Sequence, residues 1–141
     1  MIARLNEQNQ KRLIESMRTI ENVLSGDIKE KVRLRCELRP GDAGQLIHLH
    51  GLIYAEECGY NHVFEGYVCK TFYNFFENYS PEKDRFWFAE ANGKMIGAIA
   101  IVGHSAEKAQ LRWFILHPEF RGLGCGSKLL KEAIQYCREK G

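Results

Sequence analysis

Between Ala109 and Leu130 the chain reads AQLRWFILHPEFRGLGCGSKLL. An apolar run stops at Pro118, glycines follow at the alternate positions Gly122, Gly124 and Gly126, and a run with helical spacing begins at once. That order leaves room for little except a strand delivered through a sharp corner into a helix. Pro118 ends the strand because proline has no N–H to give a ladder. Glycine in the corner lets the backbone turn tightly and lets something approach the main chain where a Cβ would collide. The N–H groups in the first turn of a helix have no internal partner, and the aligned peptide dipoles place roughly half a positive charge there. Such a corner suits a phosphate or pyrophosphate, and Arg121 sets a cation beside it. The competing account of these glycines is a tight turn with no ligand. Neither familiar nucleotide loop fits, since no GK[ST] follows and Lys128 and Leu129 break a GxGxxG pattern. The corner also follows the fourth strand-like run, whereas a dinucleotide fold carries its loop after the first.

The elements before the corner can be ordered by period. LNEQNQKRLIESMRTIENVLSG spaces Leu13, Met17, Ile20 and Leu24 as one helical stripe, with Asn6 as N-cap and Gly26 as the stop. DIKEKVR is a short charged linker, and the main domain is expected to start near Lys31. VRLRCELR alternates as a strand with one wet face, and PGD supplies a turn with Asp42 as N-cap of the next helix. AGQLIHLHGLIYAEECGY and HVFEGYVCKTFYNFFENY carry apolar residues at three-and-four spacing, giving two helices in succession. RFWFAEANGKMIGAIAIVG is two β-rich runs joined at Asn92-Gly93, a pair suited to a turn whose central residues both need positive φ. In the last strand, alternation puts Leu111, Trp113 and Ile115 on one face, with Gln110, Arg112, Phe114 and Leu116 on the other. The closing helix sets Leu129, Leu130, Ala133, Ile134 and Cys137 on its apolar face. After the N-terminal helix the order is β-α-α-β-β-β-α.

Composition narrows the function classes. The 141 residues suffice for one domain, and 45% hydrophobic with 27% charged residues describes a soluble globular chain. Twenty basic against 18 acidic residues leave a formal +2, too even to argue for nucleic acid, a membrane surface or a strongly acidic partner. The five cysteines are scattered without a CxxC pair or a zinc-ligand spacing, so they are expected to be reduced, mostly buried thiols with no metal. The polar start lacks the apolar region of a secretory signal, and no apolar run approaches the roughly 18 residues of a membrane span. The expected location is cytoplasmic.

LRWFILHPEFRGLGCGSKLLKEAI resembles motif A of the GNAT superfamily of acetyl-CoA-dependent N-acyltransferases. That pattern is Arg or Gln, two residues, Gly, one residue, then Gly or Ala, and Arg121, Gly124 and Gly126 match it. HLHGLIYAEECGYNHVFEGYV is similar to the first two helices of acetyltransferase domains fused behind a MarR-type DNA-binding domain, and the N-terminal helix is similar to the end of that regulator. The resemblance implies an α/β (α+β) fold with a GNAT-like mixed, mostly antiparallel sheet and an extra N-terminal helix. Residues 1–26 would be the end of a MarR-like region, 27–31 the linker, and 32–141 a partial acetyltransferase domain. Members of the family continue past the equivalent of Gly141 with a strand, a helix and a further strand, so the last third of the fold is expected to be absent. Either the chain is a fragment of a longer acyltransferase or those strands come from elsewhere. The fourth strand would then present an open edge.

The resemblance also implies roles. The main chain of Leu123, Gly124, Cys125, Gly126 and Ser127 would hold the coenzyme A pyrophosphate with Gly122 and Arg121 beside it. The main chain of Phe114, Ile115 and Leu116 would pair with the pantetheine arm. An amine would attack the thioester of acetyl-CoA directly, and a backbone N–H near Leu116 would stabilise the tetrahedral oxyanion. Where some members carry a glutamate base this chain has Gln110, which cannot take a proton, so Glu90, Glu57 and Glu56 are the carboxylate candidates, against a surface role for each. Tyr54, Tyr60 and Phe64 would line the acceptor pocket unless they are simply core. His48 and His50 diverge on a helix and make a poor metal pair. Cys125 at a helix start is a weaker candidate as a nucleophile because no base accompanies it. The expected activity is an acetyl-CoA-dependent N-acetyltransferase, EC 2.3.1.-, acting on a small-molecule or protein amine. The alternative is a CoA- or ligand-sensing module attached to a MarR-type transcriptional regulator. A homodimer through the N-terminal helix or the open sheet edge is expected, with nucleic acid contacted only through a MarR-like domain outside this chain.

Overall fold

The computed structural model describes residues 5–25 and 32–141. Gly26, the linker 27–31 and the expected domain start at Lys31 lie outside the described residues. The first helix, α1 (Glu7–Ser25), is capped as its sequence suggests, Asn6 Oδ1 accepting the Asn9 N–H at 2.8 Å. Its apolar stripe lies against no core: Met17, Ile20 and Leu24 are all exposed, Leu24 at 82%.

The strand expected over VRLRCELR pairs only through β1 (Arg33–Arg35). Beyond it the chain is pulled into a turn by one carboxylate. Asp42 accepts from the Arg35 guanidinium at 2.8 and 2.9 Å and from the Arg39 N–H at 2.6 Å. Asp42 is therefore not the N-cap. The cap of α2 (Asp42–Cys58) is Gly41, left-handed at φ 94°, while Asp42 is the first helical residue and spends its carboxylate on the buried guanidinium. Gly59, at φ 70°, closes α2 by returning its N–H to Ala55 O at 3.1 Å. Helix α3 (His62–Glu77) starts under Asn61, whose side chain accepts the Val63 N–H at 3.0 Å.

Strands β2 (Arg85–Ala91) and β3 (Lys94–Gly103) form the expected hairpin, with Asn92 at φ 53° and Gly93 at φ 74°. With β4 (Ala109–Leu116) they complete a sheet in the order β1-β2-β3-β4. Every pairing among the described strands is antiparallel, so the mixed sheet expected from the family is not seen in this part of it. The central strands are buried on both faces, which is why their sequences run apolar without a clean alternation. Phe86, Phe88, Ala98 and Ala100 pack under α2 and α3, whereas Trp87, Ala89, Ile99 and Ile101 meet α4 (Cys125–Lys140). On α4 the buried row is Cys125, Leu129, Ala133 and Tyr136, while Leu130 and Ile134, expected on the apolar face, are exposed.

The expected alternation of β4 fails at its centre. Ala98 pairs with Ile115 and Ala100 with Arg112, so Trp113 and Phe114 together oppose Ile99 in a bulge. Leu111 pairs with Ile101 and thus shares the α4 face, opposite to Trp113 and Ile115. Trp113 takes φ 49°, a left-handed conformation that costs roughly 1–2 kcal/mol for a residue with a Cβ. Its ring is held by Phe72 at 4.2 Å, Phe75 at 5.3 Å and Phe86 at 5.7 Å, so the aromatic core over-determines the strained backbone.

Candidate active site

The bulge, the strand end and the glycine corner lie in sequence along one side of the molecule. After β4 the His117 N–H bonds Ile96 O at 2.6 Å, and a single 3₁₀ turn, Pro118–Phe120, carries the chain out of the sheet. Gly122 and Gly124 then take φ 77° and 84°, conformations that favour glycine, and a Cβ on either would meet nothing within 4 Å. Gly126 differs. It sits in the first turn of α4, where a Cβ would lie in ordinary contact 3.8 Å from Phe114 Cζ, so the protein itself does not require glycine there. The Lys128 N–H is the first to bond back, reaching Gly124 O at 3.0 Å, and the amides of Cys125, Gly126 and Ser127 have no backbone or capping partner among the described residues.

Arg121 joins three parts of this side. Its Nε donates to Leu116 O at 3.1 Å, and its guanidinium pairs with the Glu57 carboxylate of α2. The cation expected beside the phosphate site is thus held at the end of β4, and the carboxylate expected as a base is held with it. Between Ile53, Tyr54 and Glu57 of α2 and Phe114 to Leu116 of β4 lies a cleft of about 240 Å³ with Arg121 at one end. It continues into a groove of about 280 Å³ that shares Tyr54 and Phe114 and reaches His50, Tyr67 and Arg112. Larger hollows, of about 930 and 610 Å³, lie along α1 and between the far ends of α4 and the β3–β4 turn. Neither includes the glycine corner or the bulge, and both are open surface between charged side chains.

Hydrogen-bond alternation along β4 matters to this cleft. Because the His117 N–H points at β3, the Leu116 N–H points to the outer edge, where no described strand pairs with it. Gly97 lets the two strands close there: a Cβ on it would stand 2.7 Å from Ile115 O.

The remaining sequence candidates separate clearly. Tyr54, Tyr60 and Phe64 come together, Tyr54 lying 4.7 Å from Phe64 and 5.9 Å from Tyr60, and Phe64 lies 5.0 Å from Tyr60. Glu90 is taken up by Arg35, whose Nε donates to it at 2.6 Å, on a strand two removed from β4. Glu56 is exposed, and the Gln110 side-chain oxygen accepts from His104 Nε2 at 3.1 Å. Cys125 is buried among Leu129 and Ala133 on the α4 side of the sheet, but the cysteines are not mostly buried as expected, since Cys36, Cys58 and Cys69 are exposed. His48 is exposed and His50 is buried, its Nδ1 2.7 Å from Leu46 O. Among the described residues no group of three His, Cys, Asp or Glu is placed to hold a metal ion.

An antiparallel sheet with helices on both faces, open along the β4 edge near a glycine corner at a helix start, is the α+β architecture of this chain. The chain belongs to the acetyltransferase (GNAT) family, whose model matches residues 46–141. It is 32% identical over 66 residues to an uncharacterised N-acetyltransferase of Methanocaldococcus jannaschii, a match over 43% of this chain and 29% of that protein's length. The match thus spans less than a third of that curated relative. Among solved structures, a GNAT-family acetyltransferase of Staphylococcus aureus superposes with a TM-score of 0.62 at 20% identity, over 77% of this chain and 68% of the other. An N-acetyltransferase of Thermoplasma acidophilum, solved in complex with coenzyme A, superposes with a TM-score of 0.57 at 23% identity, over 79% of this chain and 74% of the other.

Proposed function

We propose that this chain carries an acetyl-CoA-dependent N-acetyltransferase domain, EC 2.3.1.-, moving an acetyl group directly to an amine. The observation that carries this reading is the nearness of the helix-start amides at Cys125, Gly126 and Ser127 to a cleft along the edge of β4, the Cβ position of Gly126 lying 3.8 and 3.9 Å from the cleft-lining Phe114 and Leu116. The related Thermoplasma acidophilum structure contains coenzyme A, which supports the same ligand here. Acetyl-CoA is a substrate of this reaction. Its pyrophosphate would lie on the amides of Leu123 to Ser127, beside Gly122 and within reach of Arg121. Phe114, Ile115 and Leu116 would give main-chain bonds to the pantetheine arm, and the outward N–H near Leu116 would stabilise the oxyanion as the amine attacks the thioester carbonyl. Tyr54, Tyr60 and Phe64 would line the acceptor side.

Residues 1–26 are proposed to end a MarR-like region joined through 27–31 to the transferase domain at 32–141. The exposed stripe of α1, or the part of the β4 edge clear of Phe114 to Leu116, is the surface proposed for pairing with a second copy. The test of the transferase reading is thiol release from acetyl-CoA over a panel of amines, together with calorimetric binding of coenzyme A. Binding and turnover are expected. A protein that neither binds coenzyme A nor releases thiol overturns the reading.

A further inference from the structure

We propose that His50 is the general base of the reaction, accepting a proton at Nε2 from the acceptor amine in the groove between α2, α3 and β4. The inference rests on the transferase reading above. His50, Tyr54 and Glu57 are spaced i, i+4, i+7 and share one face of α2. The cleft at Glu57 and Arg121 and the groove at His50 have Tyr54 and Phe114 in common, so the two adjoin as one channel beside β4, and Gly126 of the glycine corner backs onto its Phe114 wall, 3.8 Å from Phe114 Cζ at the Cβ position. A donor anchored at the corner and paired along Phe114 to Leu116 occupies one end of that channel. The acceptor must come from the other, and His50 is in its wall.

The ring is prepared for the task. Leu46 O can only accept a hydrogen bond, so its 2.7 Å contact fixes the proton on Nδ1 and leaves the lone pair on Nε2. Nε2 has no hydrogen-bond partner among the described residues, and no fully buried side-chain nitrogen or oxygen among them lacks one, so Nε2 is open to the groove that His50 lines. Tyr54 stacks on the imidazole at 6.1 Å with an interplanar angle of 4°, holding its plane. The titratable or charged groups lining the groove with it are Tyr54 from α2, Tyr67 from α3 and Arg112 from β4, and no carboxylate is among them. Burial pushes the His50 pKa below its ordinary value, against the opposing effect of the Leu46 hydrogen bond, so the imidazole is neutral at pH 7. Of the carboxylate candidates, Glu57 is paired with Arg121, Glu90 is paired with Arg35, and the exposed Glu56 does not line the groove.

The step balances without another reagent. Nε2 takes one proton from the ammonium form of the acceptor, directly or through one water. The freed nitrogen lone pair forms the C–N bond, and the carbonyl electrons move to the oxyanion. Collapse breaks the C–S bond, the departing thiolate takes the second nitrogen proton, and the imidazolium returns its proton to water.

The experiment compares wild type with His50→Gln, using acetyl-CoA and spermidine, L-phenylalanine and a peptide with a free α-amine as acceptors. His50→Gln is expected to lower kcat by about 10²- to 10⁴-fold with coenzyme A affinity unchanged. The wild-type kcat/KM should level off above the His50 ionisation, whereas that of the variant should keep rising towards the ionisation of the amine. Wild-type thiol release that His50→Gln retains within about threefold, a small fraction of the range for a lost general base, overturns this inference alone. Absence of thiol release by wild type with every acceptor overturns the transferase reading and this inference with it. Independently of activity or variant folding, ¹⁵N NMR of histidine-labelled wild type at pH 7 is expected to show Nε2 of His50 unprotonated, and a protonated Nε2 overturns the assignment.

Discussion

Asp42 and Arg35 illustrate what one buried pair does for the site. Burial pushes the Asp42 carboxyl up, and the hydrogen bonds from Arg35 and from the Arg39 N–H outweigh it, leaving the carboxyl below the usual range. A carboxyl lowered on folding stabilises the native state above its unfolded pKa of about 3.9, and that stabilisation is lost as pH falls through the lower folded value. Asp42→Ala leaves the Arg35 guanidinium short of its main partner, and a loss of about 3 kcal/mol is expected at pH 7 by urea denaturation. The gap between wild type and Asp42→Ala should narrow below about pH 4. At the corner, Gly124→Val must place a β-branched residue at φ 84° and adds a side chain to the open space over the helix start. Loss of measurable coenzyme A binding by calorimetry is expected there, with α4 retained by circular dichroism. Cys125→Ala, which alters a core thiol on the α4 side of the sheet, should leave turnover nearly unchanged, and loss of transfer would revive a thiol mechanism.

Among the elements, β4 carries the most consequence, because its bulge decides which side chains face the groove. The two-residue alternation was legible in AQLRWFIL, but a bulge adds a residue without marking the sequence, so Leu111 and Trp113 part company at a point no local pattern shows. Gly97 secures the other end of the strand. Gly97→Val would drive a side chain into Ile115 O and Leu116 Cδ1, each under 3.0 Å from the Cβ position, and must push β4 outward. A destabilisation of about 1–3 kcal/mol in urea is expected, with a raised KM for acetyl-CoA because the strand edge moves. On α2, the row His50, Tyr54 and Glu57 follows from helical spacing alone, yet its direction towards β4 depends on how α2 and α3 pack over the sheet.

Considered whole, the molecule is a sheet filled on both faces with one helix set apart. Two cores, one under α2 and α3 and one under α4, contain the buried apolar side chains, and α1 contributes to neither. Removing residues 1–25 is therefore expected to leave coenzyme A affinity unchanged and the melting midpoint within about 2 °C, well inside the shift of 1 kcal/mol for a domain of this size. The apolar stripe of α1 should show itself in self-association instead. Met17→Glu with Ile20→Glu is expected to lower the mass seen by sedimentation if α1 pairs with a second copy, and an unchanged mass would assign pairing elsewhere.

The order of elements, the Asn92-Gly93 hairpin, the Asn6 cap and the glycine corner were determined by the sequence by itself. Each rests on local chemistry: a period, a positive φ or a side chain reaching a nearby amide. What only the tertiary structure decided is which distant groups meet. The carboxylate candidate Glu57 meets Arg121, Glu90 meets Arg35 from another strand, and the two nitrogens of His50 take different surroundings from Leu46 O and the groove. Charge pairing and burial act through space between residues far apart in the chain, and no local pattern encodes those distances.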